Sequence, residues 1–154
     1  MSEVIQTCMG MLGAVGFSLL FHVKGKKLIA AAFGGGLSWV VYLAVMKYYG
    51  DPALSLLAST VTVGVLAEIL ARVMKTPVTI LLVPMLIPLI PGGDLYYTTS
   101  YLVRGMAEEC ADRGNLVIKE AGAIAFGIIL VTCLVQVVQQ IGQRIRKKRY
   151  LQDA

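Results

Sequence analysis

Two acids stand in stretches of this sequence that are otherwise apolar: Glu68 in "VLAEILARV" (65–73) and Asp94 at the end of "VPMLIPLIPGGD" (83–94). A carboxylate in hydrocarbon is expensive, so the chemistry such residues offer is the uptake and release of a proton or the pairing of a cation. Arg72 lies one turn beyond Glu68 at i+4, and the two form either a functional pair or an ion pair that reaches the inner surface. Between the acids, Pro84, Pro88 and Pro91 fall at i, i+4 and i+7 and share one helix face. Each lacks the N–H that would pair a carbonyl four residues back, so the carbonyls of Ile80, Pro84 and Ile87 are expected to be free acceptors. Gly92 and Gly93 then break the helix, and Tyr96 just beyond belongs to an interfacial belt or to a cavity wall. Free backbone groups and an acid at membrane depth are tolerated where they line a wet cavity, and broken helices are where secondary transporters hold substrates and ions.

Bond-making chemistry is poorly served. His22 is the one histidine and stands at the edge of an apolar run; Cys8, Cys110 and Cys133 have neither metal-ligand nor disulfide spacing. The "GGG" at 34–36 is not followed by the lysine and hydroxyl residue of a phosphate loop. The expectation is a protein that is not an enzyme, uses no cofactor and binds no nucleic acid, with any transport driven by ion or substrate gradients.

The elements that must position these residues follow from composition. Of the 154 residues, 57% are hydrophobic and 15% charged, and the mean hydropathy is +0.75. A bilayer core of about 30 Å needs roughly 20 apolar residues per helix. Such stretches recur at about 4–23, 28–46, 52–73, 77–103 and 116–141, followed by a basic tail at 142–154. The fold class read from this is all-α, a single polytopic transmembrane domain of five helices spanning 1–154. Asp51–Pro52 and Thr76–Pro77 each place a capping side chain before a first-turn proline, so spans three and four are expected to begin there. Span four is expected to be discontinuous: residues 77–91 cover only about 22 Å, and 95–103 must finish the crossing. Small residues at close spacing, including Gly10, Gly34–Gly36, Gly64 and Gly127, suit close helix packing.

Five spans sort ten of the fourteen Lys and Arg residues to one side, among them Lys24, Lys26, Lys27, Arg72, Lys75 and the "RIRKKR" of the tail. The positive-inside rule then puts the N-terminus outside and the C-terminus in the cytoplasm.

The segment "ARVMKTPVTILLVPMLIPLIPGG" (71–93), preceded by a GGG-containing helix with "LSW" and followed by "LYY", resembles the threonine/serine exporter family, in particular its small five-helix part. Pro88, Pro91, Gly92 and Gly93 match the family's proline–glycine motif, and Arg72, Lys75 and Pro77 its helix-start motif. The resemblance implies a bacterial inner-membrane protein whose partner is a large five-helix subunit with a cytosolic N-terminal region. It also implies efflux of threonine and serine, or in some split members of small dicarboxylates such as succinate. An odd number of spans lets the two parts form an inverted pair with the site between them. The pathway residues expected on these grounds are Glu68, Arg72, Pro84, Pro88, Pro91, Gly92, Gly93, Asp94 and Tyr96. A non-transporting scaffold or regulatory subunit is the competing class, and self-association into an oligomer stays open.

Overall fold

A computed structural model describes residues 2–152, with side chains over 3–141, so the side chains of the basic tail at 142–154 lie outside the described residues. Helices α1 (Ser2–Leu20), α2 (Lys26–Tyr49), α3 (Pro52–Val73), α4 (Val78–Leu86), α5 (Gly92–Val103) and α6 (Ala107–Gln152) follow one another, with a 3₁₀ turn at Ile87–Leu89 after α4. Four helices, α1, α2, α3 and α6, are long and apolar enough to cross a membrane. The pair Val78–Leu89 and Gly92–Val103, bent by 57° between its halves, makes a fifth candidate crossing when taken as one span. The chain is an all-α polytopic membrane protein with four or five candidate spans, and the interruption expected in the fourth is the bend of this pair.

Helix ends explain the segmentation. The Asp51 carboxylate accepts from the backbone N–H of Ala53 (2.9 Å) and Leu54 (3.3 Å), capping α3 ahead of Pro52 as expected. Thr76 does not cap α4. Its N–H instead donates to Ala71 O (3.0 Å) around Lys75, which is in the left-handed region at φ 48°, so Thr76 closes the end of α3. Pro77 is extended, α4 starts one residue later, and the Thr76 hydroxyl is left buried without a partner. His22 makes the same turn at the end of α1, with φ 57° and Val23 N–H donating to Ser18 O over 2.8 Å. The last helix also begins earlier than its apolar stretch: 107–115 is continuous with the span, and only Arg104–Met106 turns between α5 and α6.

Packing follows the small residues. The core groups Ala30 of α2 with Val63, Ala67 and Ala71 of α3 and with Leu81 and Met85 of α4. A Cβ on Gly35 would stand 2.5 Å from the Ala14 Cβ, and one on Gly36 would stand 2.6 Å from Met11 Cγ, so α1 and α2 meet at backbone distance. Gly34 is covered by the Met85 side chain, Gly64 by Val131, and Gly127 by Thr60. The last two contacts advance together along both chains, so α3 and α6 run parallel. Ser59 Oγ also donates to the Ser38 carbonyl across α2 and α3.

Candidate functional site

The break in span four is built by its prolines, though not as the free-carbonyl argument expects. Two of the three carbonyls are re-paired: Ile87 N–H donates to Pro84 O, and Ile90 N–H to Ile87 O (3.2 Å). Losing an i→i−4 bond to proline is offset here by tightening to 3₁₀ geometry. Ile90 is extended, as a residue before proline prefers, and Pro91 (φ −74°, ψ 58°) centres an inverse γ-turn closed by Gly92 N–H to Ile90 O at 2.7 Å. The groups left over are donors. Helix α5 starts at the surface of the fold, and the N–H groups of Gly93 and Asp94, in its first turn, make no hydrogen bond among the described residues. Gly92 and Gly93 are exposed, with nothing within 4 Å of where a Cβ would stand.

Asp94, in that first turn, is partly buried and accepts a hydrogen bond from Arg113 of α6 at 2.6 Å. Arg113 also lies over the Tyr97 ring, 5.7 Å from its centroid, and Tyr97 stacks loosely on Tyr101. Two turns further along the same face of α6 is Glu120, only 4% exposed, with Oε2 lacking any partner. Asp94 and Arg113 are near enough to act on Glu120 electrostatically, and Glu120 and Asp94 act in turn on the Tyr42 hydroxyl of α2. Tyr42 stacks on Trp39 (5.0 Å), and Trp39 with Pro88 lines a cleft of about 300 Å³ between α1, α2 and the break. The Trp39 Nε1 is buried and unpaired as well.

Two side-chain groups near the break, Glu120 Oε2 and Trp39 Nε1, are thus buried without a partner, while the N–H groups of Gly93 and Asp94 are the ordinary orphans of a helix start. Buried polar groups are nearly always satisfied, so the two side-chain exceptions stand out. Trp39 and Tyr42 serve this region, whereas the neighbouring Tyr48 and Tyr49 are exposed as an aromatic belt requires.

Of the residues singled out by sequence, Pro84, Pro88, Pro91, Gly92, Gly93 and Asp94 lie along the break. Tyr96 is 69% exposed, and Tyr97 is the tyrosine that meets Arg113. Glu68 and Arg72 pair with one another at 3.5 Å near the other end of α3, away from this cluster. On that side a second cleft of about 530 Å³ is lined by His22, Lys24, Lys27, Ile80 and Pro84, among others. Arg113 and Glu120 are the residues that sequence reasoning missed. Their spacing of seven, with Glu120 just inside an apolar run, is the signal that would have found them.

A model of the family described as "Threonine/Serine exporter, ThrE" matches residues 6–134, most of the chain. The chain belongs to the threonine/serine exporter family. Comparison with curated proteins and with solved structures gives no match. Members of the exporter family are transporters, and the matched region contains the whole broken span together with Asp94, Arg113 and Glu120.

Proposed function

We propose that this chain is the small subunit of a two-component secondary exporter that moves threonine and serine out across a bacterial cytoplasmic membrane. The whole chain acts as one transmembrane domain, oriented with its N-terminus outside. Its partner is a large five-helix subunit, packed as an inverted counterpart so that the substrate path runs between the two. The observation that carries this reading is the broken fourth span with its unpaired donors. The positive end of the α5 dipole and the free N–H groups of Gly93 and Asp94 suit a substrate carboxylate. Pro84, Pro88 and Pro91 hold the two half-helices at their bend. In this reading Glu68 and Arg72 belong to the cytoplasmic end of the path, and a carboxylate-bearing solute enters through the basic cleft of Lys24 and Lys27.

The test is efflux of threonine, serine and succinate from preloaded cells lacking their own exporters, with the chain alone, its large partner alone, or both. The reading requires threonine and serine efflux only with both. Efflux of succinate alone would reassign the substrate to small dicarboxylates. No efflux with both proteins present in the membrane would leave a scaffold subunit. Gly92→Ala and Gly93→Ala refine the test, because open space at both positions means that a changed substrate preference reports on the path and not on packing.

A further inference from the structure

We propose that Glu120 is the seat of a single positive charge taken up in each transport cycle. The inference rests on the exporter reading above and goes beyond it by naming the residue that takes up this charge.

The argument is one of charge balance. The ionisable residues at the break are Asp94, Arg113 and Glu120, with the neutral Tyr42 hydroxyl opposite. Arg113 is committed to Asp94 at 2.6 Å, which leaves Glu120 with no cation of its own. Among the described residues no other element pairs with it: Lys47 of α2 lines the cleft against α1, and Asp51, the cap of α3, adds only negative charge. On α3, which packs against α6, the ionisable side chains are Glu68 and Arg72, and they pair with each other. The contact of Gly127 with Thr60 fixes the register of the two helices, so that pair sits about four turns further toward the cytoplasm than Glu120. On α5, Asp94 is the one charged side chain. Glu120 is 4% exposed and its Oε2 meets no donor among the described residues, so an ionised carboxylate there would be a buried, unpaired charge. Such a group is tolerated once a positive charge joins it.

Two sources share that chemistry: a coupling proton, or the ammonium group of the substrate itself. The second has a geometric complement, because the α5 N-terminus beside it offers donors for the carboxylate of the same zwitterion. Either source gives Glu120 a role that does not overlap with the Asp94–Arg113 pair, which is satisfied without a ligand.

The experiment uses proteoliposomes holding this chain with its large partner and two readouts. One is net threonine movement driven by a pH gradient, and the other is threonine–threonine counterflow without a gradient. Glu120→Gln is expected to lower gradient-driven movement at least tenfold, and Glu120→Asp, which keeps the charge, to recover a substantial part of it. Retained counterflow in Glu120→Gln assigns the charge to a proton. Counterflow lost in Glu120→Gln and recovered in Glu120→Asp assigns it to the substrate ammonium. The proposal is overturned if Glu120→Gln keeps both readouts within twofold of wild type. It is also overturned if Glu120→Asp is as inactive as Glu120→Gln at equal protein level, since the position would then demand shape rather than charge. Absence of both activities in the wild-type complex would instead sink the exporter reading.

Discussion

The Arg113 guanidinium donates to Asp94 Oδ1 at 2.6 Å and ties the first turn of α5 to α6, 19 residues later in the chain. The pair closes the α5–α6 hairpin at the break while Glu120 stands close by, so its two members are not equivalent. Arg113→Ala leaves two acids with no cation, and an unpaired charge in such a setting costs about 1–3 kcal/mol. Asp94→Asn leaves Arg113 facing Glu120 and costs less. The expected outcome is a lower membrane level and a lower melting temperature in detergent for Arg113→Ala. Asp94→Asn should keep a near-wild-type level but lose efflux. Equal stability of the two variants would show that Glu120 does not sense Arg113.

Helix α4 is held against α2 at one tight point. A Cβ on Gly34 would overlap the Met85 side chain, and Met85 is fully buried with no space to retreat into. Gly34→Ala is therefore expected to destabilise the protein by about 1–3 kcal/mol. Met85→Ala in the same chain should recover part of that loss by vacating the contact, which a thermal melt of the double variant would show. Gly13→Ala provides the control, because nothing lies within 4 Å of that position and the residue sits inside a helix. It should melt at or slightly above the wild-type temperature.

The long apolar stretches, the Asp51 cap and an interruption in the fourth apolar stretch could be read from residues because each depends on local chain chemistry, but Gly92 and Gly93, expected to break the helix, instead open α5, and the interruption falls at Ile87–Pro91. The prolines remove specific N–H groups, and Asp51 sits two residues from the donors it satisfies. The fate of the freed carbonyls was not legible, because a 3₁₀ turn re-pairs them through bonds that the i→i−4 argument does not count. Nor was Thr76 legible as part of the end of α3, since that depends on Lys75 adopting a left-handed conformation usually left to glycine. The acid cluster was the largest gap. Arg113 stands before the fifth apolar stretch, and Glu120 inside it has no sequence neighbour that marks it as part of a site. They become a site only when α5 folds back along α6 and brings Asp94 to them, a contact that hydropathy does not encode.

Lys75 offers a test of that turn. A non-glycine residue in the left-handed region pays roughly 1–2 kcal/mol in steric strain, and glycine offsets part of the relief through its greater freedom in the unfolded chain. Lys75→Gly should raise stability in detergent by a few tenths to about 1 kcal/mol. Its effect on efflux separates two roles for the exposed lysine. Unchanged efflux would make it a turn residue, and reduced efflux from a more stable protein would place its charge on the cytoplasmic path.

Orientation can be tested with a native thiol. Cys110 lies in the first turns of α6 among Glu108, Glu109 and Asp112 and is partly exposed, whereas Cys8 and Cys133 lie within α1 and the apolar part of α6. A maleimide reacts with the thiolate, which forms in water and not in hydrocarbon, so Cys110 should dominate the labelling. With the N-terminus outside, the α5–α6 turn is also outside, and a membrane-impermeant maleimide added to intact cells should label the protein once, at Cys110. Cys110→Ser should abolish that signal. Labelling of Cys110 only after the cells are permeabilised would invert the topology, and would move the break from the outer to the inner half of the membrane along with the path proposed through it.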